Sequence, residues 1–154
     1  MKKLFLVCIS ALLLATAANA GGHLETKKLM KAAKIAVKAI SPKELDALIQ
    51  DEEAEFYTLD VREPHMWEEG TFDVPEDVKI ARGLIEFDLA NEIKDKDALI
   101  IVYCRSGKGA PLAAKTIQDD LGYTNVRYLI GGIQGWMDAG YSIYNHFGEV
   151  KLVQ

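Results

Sequence analysis

From Ala98 to Tyr103 the chain is continuously apolar, rich in Ile and Val and free of charge. That is the pattern of a strand covered on both faces, as in a parallel sheet. Cys104 stands where the run stops, and Arg105-Ser-Gly-Lys-Gly109 follows it. The glycines of this loop accept conformations barred to other residues, so several backbone N–H groups can face one point, here the sulfur. Pro111 suits the first position of a helix running through Leu112–Leu121, with Gly122 ending it. The positive end of that helix then faces the loop.

Elsewhere the same reading alternates strands with helices. Ser41-Pro-Lys-Glu44 combines an N-cap serine, a first-position proline and a third-position glutamate, and predicts a short helix to about Ile49. Glu55–Val61 reads as a strand whose end carries Asp60, Arg62 and Glu63; Pro64 then opens a short helical stretch that Gly70 stops. Thr71–Asp77 is rich in turn formers and predicts no element. Val78–Phe87 predicts a short strand and a turn, with a helix from about Glu86 to Ile93. Val126–Leu129 predicts a strand, Gly131-Gly132 a tight turn, and Ile133–Ala139 a helix ended by Gly140. The fold class is α/β: one domain with a mainly parallel central sheet flanked by helices.

The N-terminus changes the picture of compartment. Met1–Ala20 has the parts of a secretory signal peptide: Lys2 and Lys3, an apolar run, and Ala18-Asn-Ala20. We expect cleavage near Ala20 and a periplasmic or secreted product. Cys8 leaves with this segment, so a mature chain of 134 residues carries only Cys104, where thiols tend to be oxidised. That length suits one domain with its own core. The full chain has a net charge of −5, and losing Lys2 and Lys3 takes it to −7. Residues 21–40 hold five lysines against Glu25, a balance of +4, which leaves residues 41–154 at −11. An acidic body gives no reason to expect nucleic-acid binding. The spacing over Leu24–Ile40 predicts a basic amphipathic helix or arm. Its lysines are either solvated or laid on the acidic body, or they attach the protein to anionic head groups or a partner.

Asp60-Val-Arg-Glu-Pro64, then Tyr103-Cys-Arg-Ser-Gly107, then Val126-Arg-Tyr-Leu-Ile-Gly-Gly-Ile-Gln-Gly-Trp136 with Ala139-Gly-Tyr141, resemble three successive signatures of the rhodanese domain. The resemblance spans about residues 41–145 and leaves 146–154 as a tail. Ala81-Arg-Gly-Leu84 and Glu86-Phe87 are similar to the corresponding stretch of periplasmic polysulfide sulfurtransferases. The resemblance implies that the Cys104 thiolate attacks the sulfane sulfur of thiosulfate or polysulfide, leaving a persulfide that a thiophilic acceptor removes. No cofactor is implied, and His23, His65 and His146 show no metal-binding spacing. An anionic donor needs positive potential, and the candidates are the N–H groups of Arg105, Ser106, Gly107, Lys108 and Gly109 with the Arg105 and Lys108 side chains. Arg82 and Arg62 match arginines of the family's cleft wall. Asp60 reads as structural support that ties strand ends together, and Arg62 reads either as its salt-bridge partner or as a substrate contact. Arg127 is expected to face solvent.

Two departures bear on substrate. Active members often carry Arg and Ser where this chain has Gly109 and Ala110, and Lys108 is a point charge that cannot grip an oxyanion through two parallel bonds. Polysulfide is therefore expected to be a better donor than thiosulfate. The usual Gly-His-Ile is altered to Gly70-Thr-Phe72. The alternative to an enzyme is a periplasmic carrier that hands persulfide to a partner protein, membrane-associated in one reading. A homodimer is in keeping with the polysulfide-transferase likeness. Other thiol chemistries fit less well. A cysteine phosphatase needs an arginine at the sixth residue after the cysteine, which is Ala110; a dithiol enzyme needs a second cysteine after Cys104. A Cys-His hydrolase needs a histidine that the sequence does not place near the loop.

Overall fold

The computed structural model describes residues 24–152, so the expected signal peptide, Met1–Ala20, lies outside the described residues. Residues 24–36 are helical (α1). The basic helix expected as far as Ile40 ends sooner, because Lys38–Ile40 is a strand (β1). Then come α2 (Pro42–Ile49), β2 (Tyr57–Asp60), a 3₁₀ helix over Pro64–Glu69, β3 (Asp77–Lys79) and a 3₁₀ turn over Arg82–Leu84. They are followed by α3 (Ile85–Glu92), β4 (Ile100–Tyr103), α4 (Ala110–Asp119), β5 (Val126–Leu129) and α5 (Gly132–Asp138). A short antiparallel hairpin, β6 (Ile143–Asn145) and β7 (Gly148–Val150), closes the described chain in a stretch for which the sequence predicts no strand.

The central sheet has five strands in the order β1-β5-β4-β2-β3, all parallel. Alternation along β4 divides the core, since successive side chains of a strand point to opposite faces. Ile100 and Val102 pack with Ile85, Leu89, Ala113, Ala114 and Ile117 from α3 and α4. Ile101 and Tyr103 pack with Leu45, Ile133 and Trp136 from α2 and α5. All four β4 side chains are buried, as its uninterrupted apolar run requires. α2 begins with a reciprocal capping box. The Ser41 side chain accepts from the Glu44 N–H at 3.3 Å, and the Glu44 carboxylate accepts from the Ser41 N–H at 2.8 Å.

The strand order also decides where a cleft opens. After β2 the chain moves outward to β3, whereas after β4 it moves the other way to β5, so the loops following two neighbouring strands diverge. Ligand sites of open parallel sheets lie at such a point, outside the carboxyl ends of the strands. Cys104 and the Asp60–Arg62 segment both sit there.

Candidate active site

Cys104 follows directly on β4 and is 9 % exposed, with its side chain on the α3–α4 side of the sheet. Its sulfur accepts a hydrogen bond from the backbone N–H of Ala110, the first residue of α4, at 3.3 Å. Pro111 lies in the first turn of that helix, where its missing N–H costs no intrahelical bond. A ten-residue helix thus presents its N-terminus and a backbone donor to the sulfur.

The loop behind the sulfur is held by the other helix. Ile133 and Gln134, in the first turn of α5, donate their N–H groups to the carbonyls of Cys104 and Arg105, each at 2.9 Å. Contact is so close that side chains are shut out. A Cβ on Gly107, at φ 70°, would lie 2.7 Å from the Gly131 nitrogen, and one on Gly132, at φ 61°, would run into the Cys104 carbonyl oxygen. Gly109 differs: a Cβ there would make an ordinary 3.8 Å contact with the Cys104 sulfur.

The charged residues fall into two groups. Arg62 is 3 % exposed and tied down. Its guanidinium donates to both Asp60 carboxylate oxygens at 2.7 to 3.0 Å, to the Gly70 carbonyl at 2.7 Å and, weakly, to Glu69 at 3.5 Å. Burial works against its charge, yet the bonds and attraction from Asp60 more than offset this and raise its pKa. Arg62 is thus a brace between the end of β2 and the end of the 3₁₀ helix, and Asp60, fully buried, is its counter-ion. Arg105 is exposed, with Glu69 as its ion-pair partner at 3.9 Å; Ser106 and Lys108 are exposed as well. Arg82 is exposed and lines a recess of about 150 Å³ with Gly83, Ile85, Glu86, Ala113 and Thr116, along the flank of α4. Arg127, expected in solvent, is half-buried because β1 covers that side of β5, and its Nε has no partner.

A polar cluster beneath the site has no local signal in the sequence. The Asp77 carboxylate accepts from Thr58 at 2.6 Å, Thr71 at 2.7 Å and the Tyr103 hydroxyl at 3.1 Å. Burial raises the Asp77 pKa despite the Thr58 and Thr71 bonds, and burial first, then Asp60 and Asp77, pushes the Tyr103 phenol well up. Asp77 closes a stretch whose turn formers predict no element, and only the β2–β3 register sets it opposite Thr58. A recess of about 740 Å³ lies at the other end of the sheet, lined by Tyr57, Leu99 and Asn125 at the starts of the strands and by Glu55, Glu76 and Asp95, away from the thiol.

Comparison with known proteins agrees with this geometry. The family model for the rhodanese-like domain matches residues 41–139. The adenylyltransferase and sulfurtransferase UBA4 of Saccharomyces cerevisiae is 31 % identical over 110 residues, which is 64 % of this chain and 24 % of that protein. The chain therefore spans about a quarter of that relative's length. The solution structure of the polysulfide-sulfur transferase homodimer of Wolinella succinogenes superposes with a TM-score of 0.65 at 27 % identity, covering 86 % of this chain and 91 % of that one. The thiosulfate sulfurtransferase of Pseudomonas aeruginosa superposes with a TM-score of 0.60 at 26 % identity, over 71 % of this chain and 20 % of that one. With a matched span covering most of its length and the thiol at the end of the central parallel strand, the chain belongs to the rhodanese-like domain family.

Proposed function

We propose that this protein is a sulfurtransferase that carries sulfane sulfur on Cys104, taking it from thiosulfate or polysulfide. The observation that carries the reading is the Ala110 N–H on the Cys104 sulfur at the N-terminus of α4, because both states of the carrier, thiolate and persulfide, are anions. In the first step the thiolate attacks the outer sulfur of the donor. The new S–S bond forms as the donor's S–S bond breaks, and the bonding pair leaves with sulfite or with a polysulfide one sulfur shorter. In the second step a thiophile such as cyanide attacks the terminal sulfur and leaves as thiocyanate, returning the electron pair to Cys104 as thiolate. No net oxidation occurs and no further reactant is needed.

Around this sulfur the chain offers Arg105 and Lys108, exposed beside the loop, and Arg82 along the α4 flank, to draw an anion in. Arg62 supports the site from below, since its guanidinium is bonded to Asp60, the Gly70 carbonyl and Glu69. The likeness to a polysulfide-sulfur transferase homodimer supports dimerisation as part of the same reading. Export through Met1–Ala20 belongs to it as well. Thiocyanate formation from each donor and cyanide tests the reaction, with Cys104→Ser as control. Turnover by the wild type and none by a folded Cys104→Ser supports the proposal; a variant that keeps its activity overturns it.

A further inference from the structure

Glu69 is the acidic residue that pairs with Arg105 of the loop. Its carboxylate stands between two arginines, with Oε2 at 3.5 Å from Arg62 Nη1 and Oε1 at 3.9 Å from Arg105 Nη2. Of the two, Arg62 is immobile, fixed by Asp60 and by the carbonyl of Gly70, the residue next to Glu69. The backbone is fixed too. Glu69 ends the 3₁₀ helix opened by Pro64, and Gly70 caps it at φ 128°. A chain of alternating charge therefore runs from Asp60 in the sheet through Arg62 and Glu69 to Arg105 on the catalytic loop.

We infer that Glu69 is a specificity-determining residue which, by holding part of the Arg105 charge, biases the site against compact dianionic donors and toward chain-like sulfane donors of lower charge density. The inference rests on the sulfur-transfer reading above and names the donor class of that site. Its physical basis is the distribution of charge in the two donors. In thiosulfate the group left outside the reacting sulfur is a sulfonate, which brings concentrated negative charge to the loop. In tetrasulfide the charges stand at the two ends of a four-sulfur chain, so the atoms at the loop carry less. Arg105 is 60 % and Glu69 43 % exposed in their side chains, so water screens the pair and leaves a modest, salt-sensitive effect. Gly109 and Ala110 add no cation of their own to offset the carboxylate. Glu69 acts through Arg105 and on the incoming anion, and is a positioning residue.

The test measures single-turnover persulfide formation on the full chain by intact mass, with thiosulfate and with tetrasulfide, for wild type, Glu69→Gln, Glu69→Asp and Arg105→Ala with and without Glu69→Gln. Glu69→Gln is expected to lower the half-saturating thiosulfate concentration by about threefold to fivefold while leaving the tetrasulfide value nearly unchanged. The maximal rate with thiosulfate should move less than its half-saturating concentration. Glu69→Asp should stay close to wild type, the gain from Glu69→Gln should shrink in the Arg105→Ala background, and it should fade as salt is raised. An equal change for both donors, no change, or a gain that persists without Arg105 would overturn the inference. Failure of wild type to form a persulfide with either donor would instead remove the reading beneath it, so the two failures are told apart.

Discussion

The N-terminal ends of α4 and α5 meet the same five-residue loop from two sides. α4 offers the Ala110 N–H to the sulfur of Cys104, whereas α5 offers the Ile133 and Gln134 N–H groups to the carbonyls of Cys104 and Arg105. The space around them differs as well. Beside the sulfur there is room, for a Cβ on Gly109 makes only ordinary contact. Behind the loop there is none, since Gly107, Gly131 and Gly132 all touch backbone at distances no side chain tolerates. Chemistry and scaffold are thus separated across a single turn of chain. Substitutions on the α5 side should cost folding, and those at the roomier α4 side should leave it nearly intact.

The arginines divide in the same way. Arg62, buried and bonded to Asp60 and the Gly70 carbonyl, belongs to the scaffold, and Arg105, Arg82 and Lys108, exposed, are the groups that our proposal assigns to the approach of an anion. A buried charge whose partner is removed is far more costly than an exposed one, which keeps its hydration.

Asp60→Ala strands the Arg62 guanidinium in the core and should lower stability by about 3 to 5 kcal/mol, read from chemical unfolding. A loss under about 1 kcal/mol would mean that Arg62 finds water and is no brace. Gly132→Ala places a methyl against the Cys104 carbonyl in a left-handed conformation and should destabilise by about 3 kcal/mol or more. Equal stability with normal turnover would show that the α5 side has slack after all. Gly109→Ala sharpens the contrast: its methyl makes only ordinary contact with the sulfur, so stability should change by no more than about 1 kcal/mol and persulfide formation by less than about threefold, and a destabilisation as large as that of Gly132→Ala would erase the difference between the two sides.

The smallest effect is expected beneath the site. Because burial raises the Asp77 pKa, the folded protein holds that proton more tightly than the unfolded chain does. The contribution of this group is fully present below the unfolded value of about 3.9 and is lost as pH rises through the higher folded value. In Asp77→Asn, which does not titrate, stability should fall less over that pH window than in wild type. Identical pH profiles from urea unfolding would show that the Asp77 carboxylate does not feel its burial.

Much of the site was legible because it is encoded locally. The apolar run of β4, Cys104 at its end, the glycine loop and Pro111 are contiguous, as is the Ser41–Glu44 capping box, and short-range pattern suffices for each. What escaped depends on partners distant in sequence. β1 is three residues long and exists through its pairing with β5, so a helical period running up to it hides it. The β6–β7 hairpin is as short, and Thr71 is drawn to it by a lone bridge to Tyr144. The sequence left Arg62 open between two roles. The choice is made by Asp60 together with the Gly70 carbonyl, which the 3₁₀ helix returns to it. Glu69 carries no signal at all in a run of acidic residues, and gains one only from the two guanidinium groups on either side of it.

The central claim is that Cys104 accepts and releases a single sulfur atom. Intact-protein mass spectrometry of the reduced, folded protein tests it most directly, before and after separate incubation with thiosulfate and polysulfide and again after cyanide. The account predicts a gain equal to one sulfur, mapped to Cys104, which cyanide removes with release of thiocyanate. No adduct from either donor, or an adduct that survives Cys104→Ser, would contradict it.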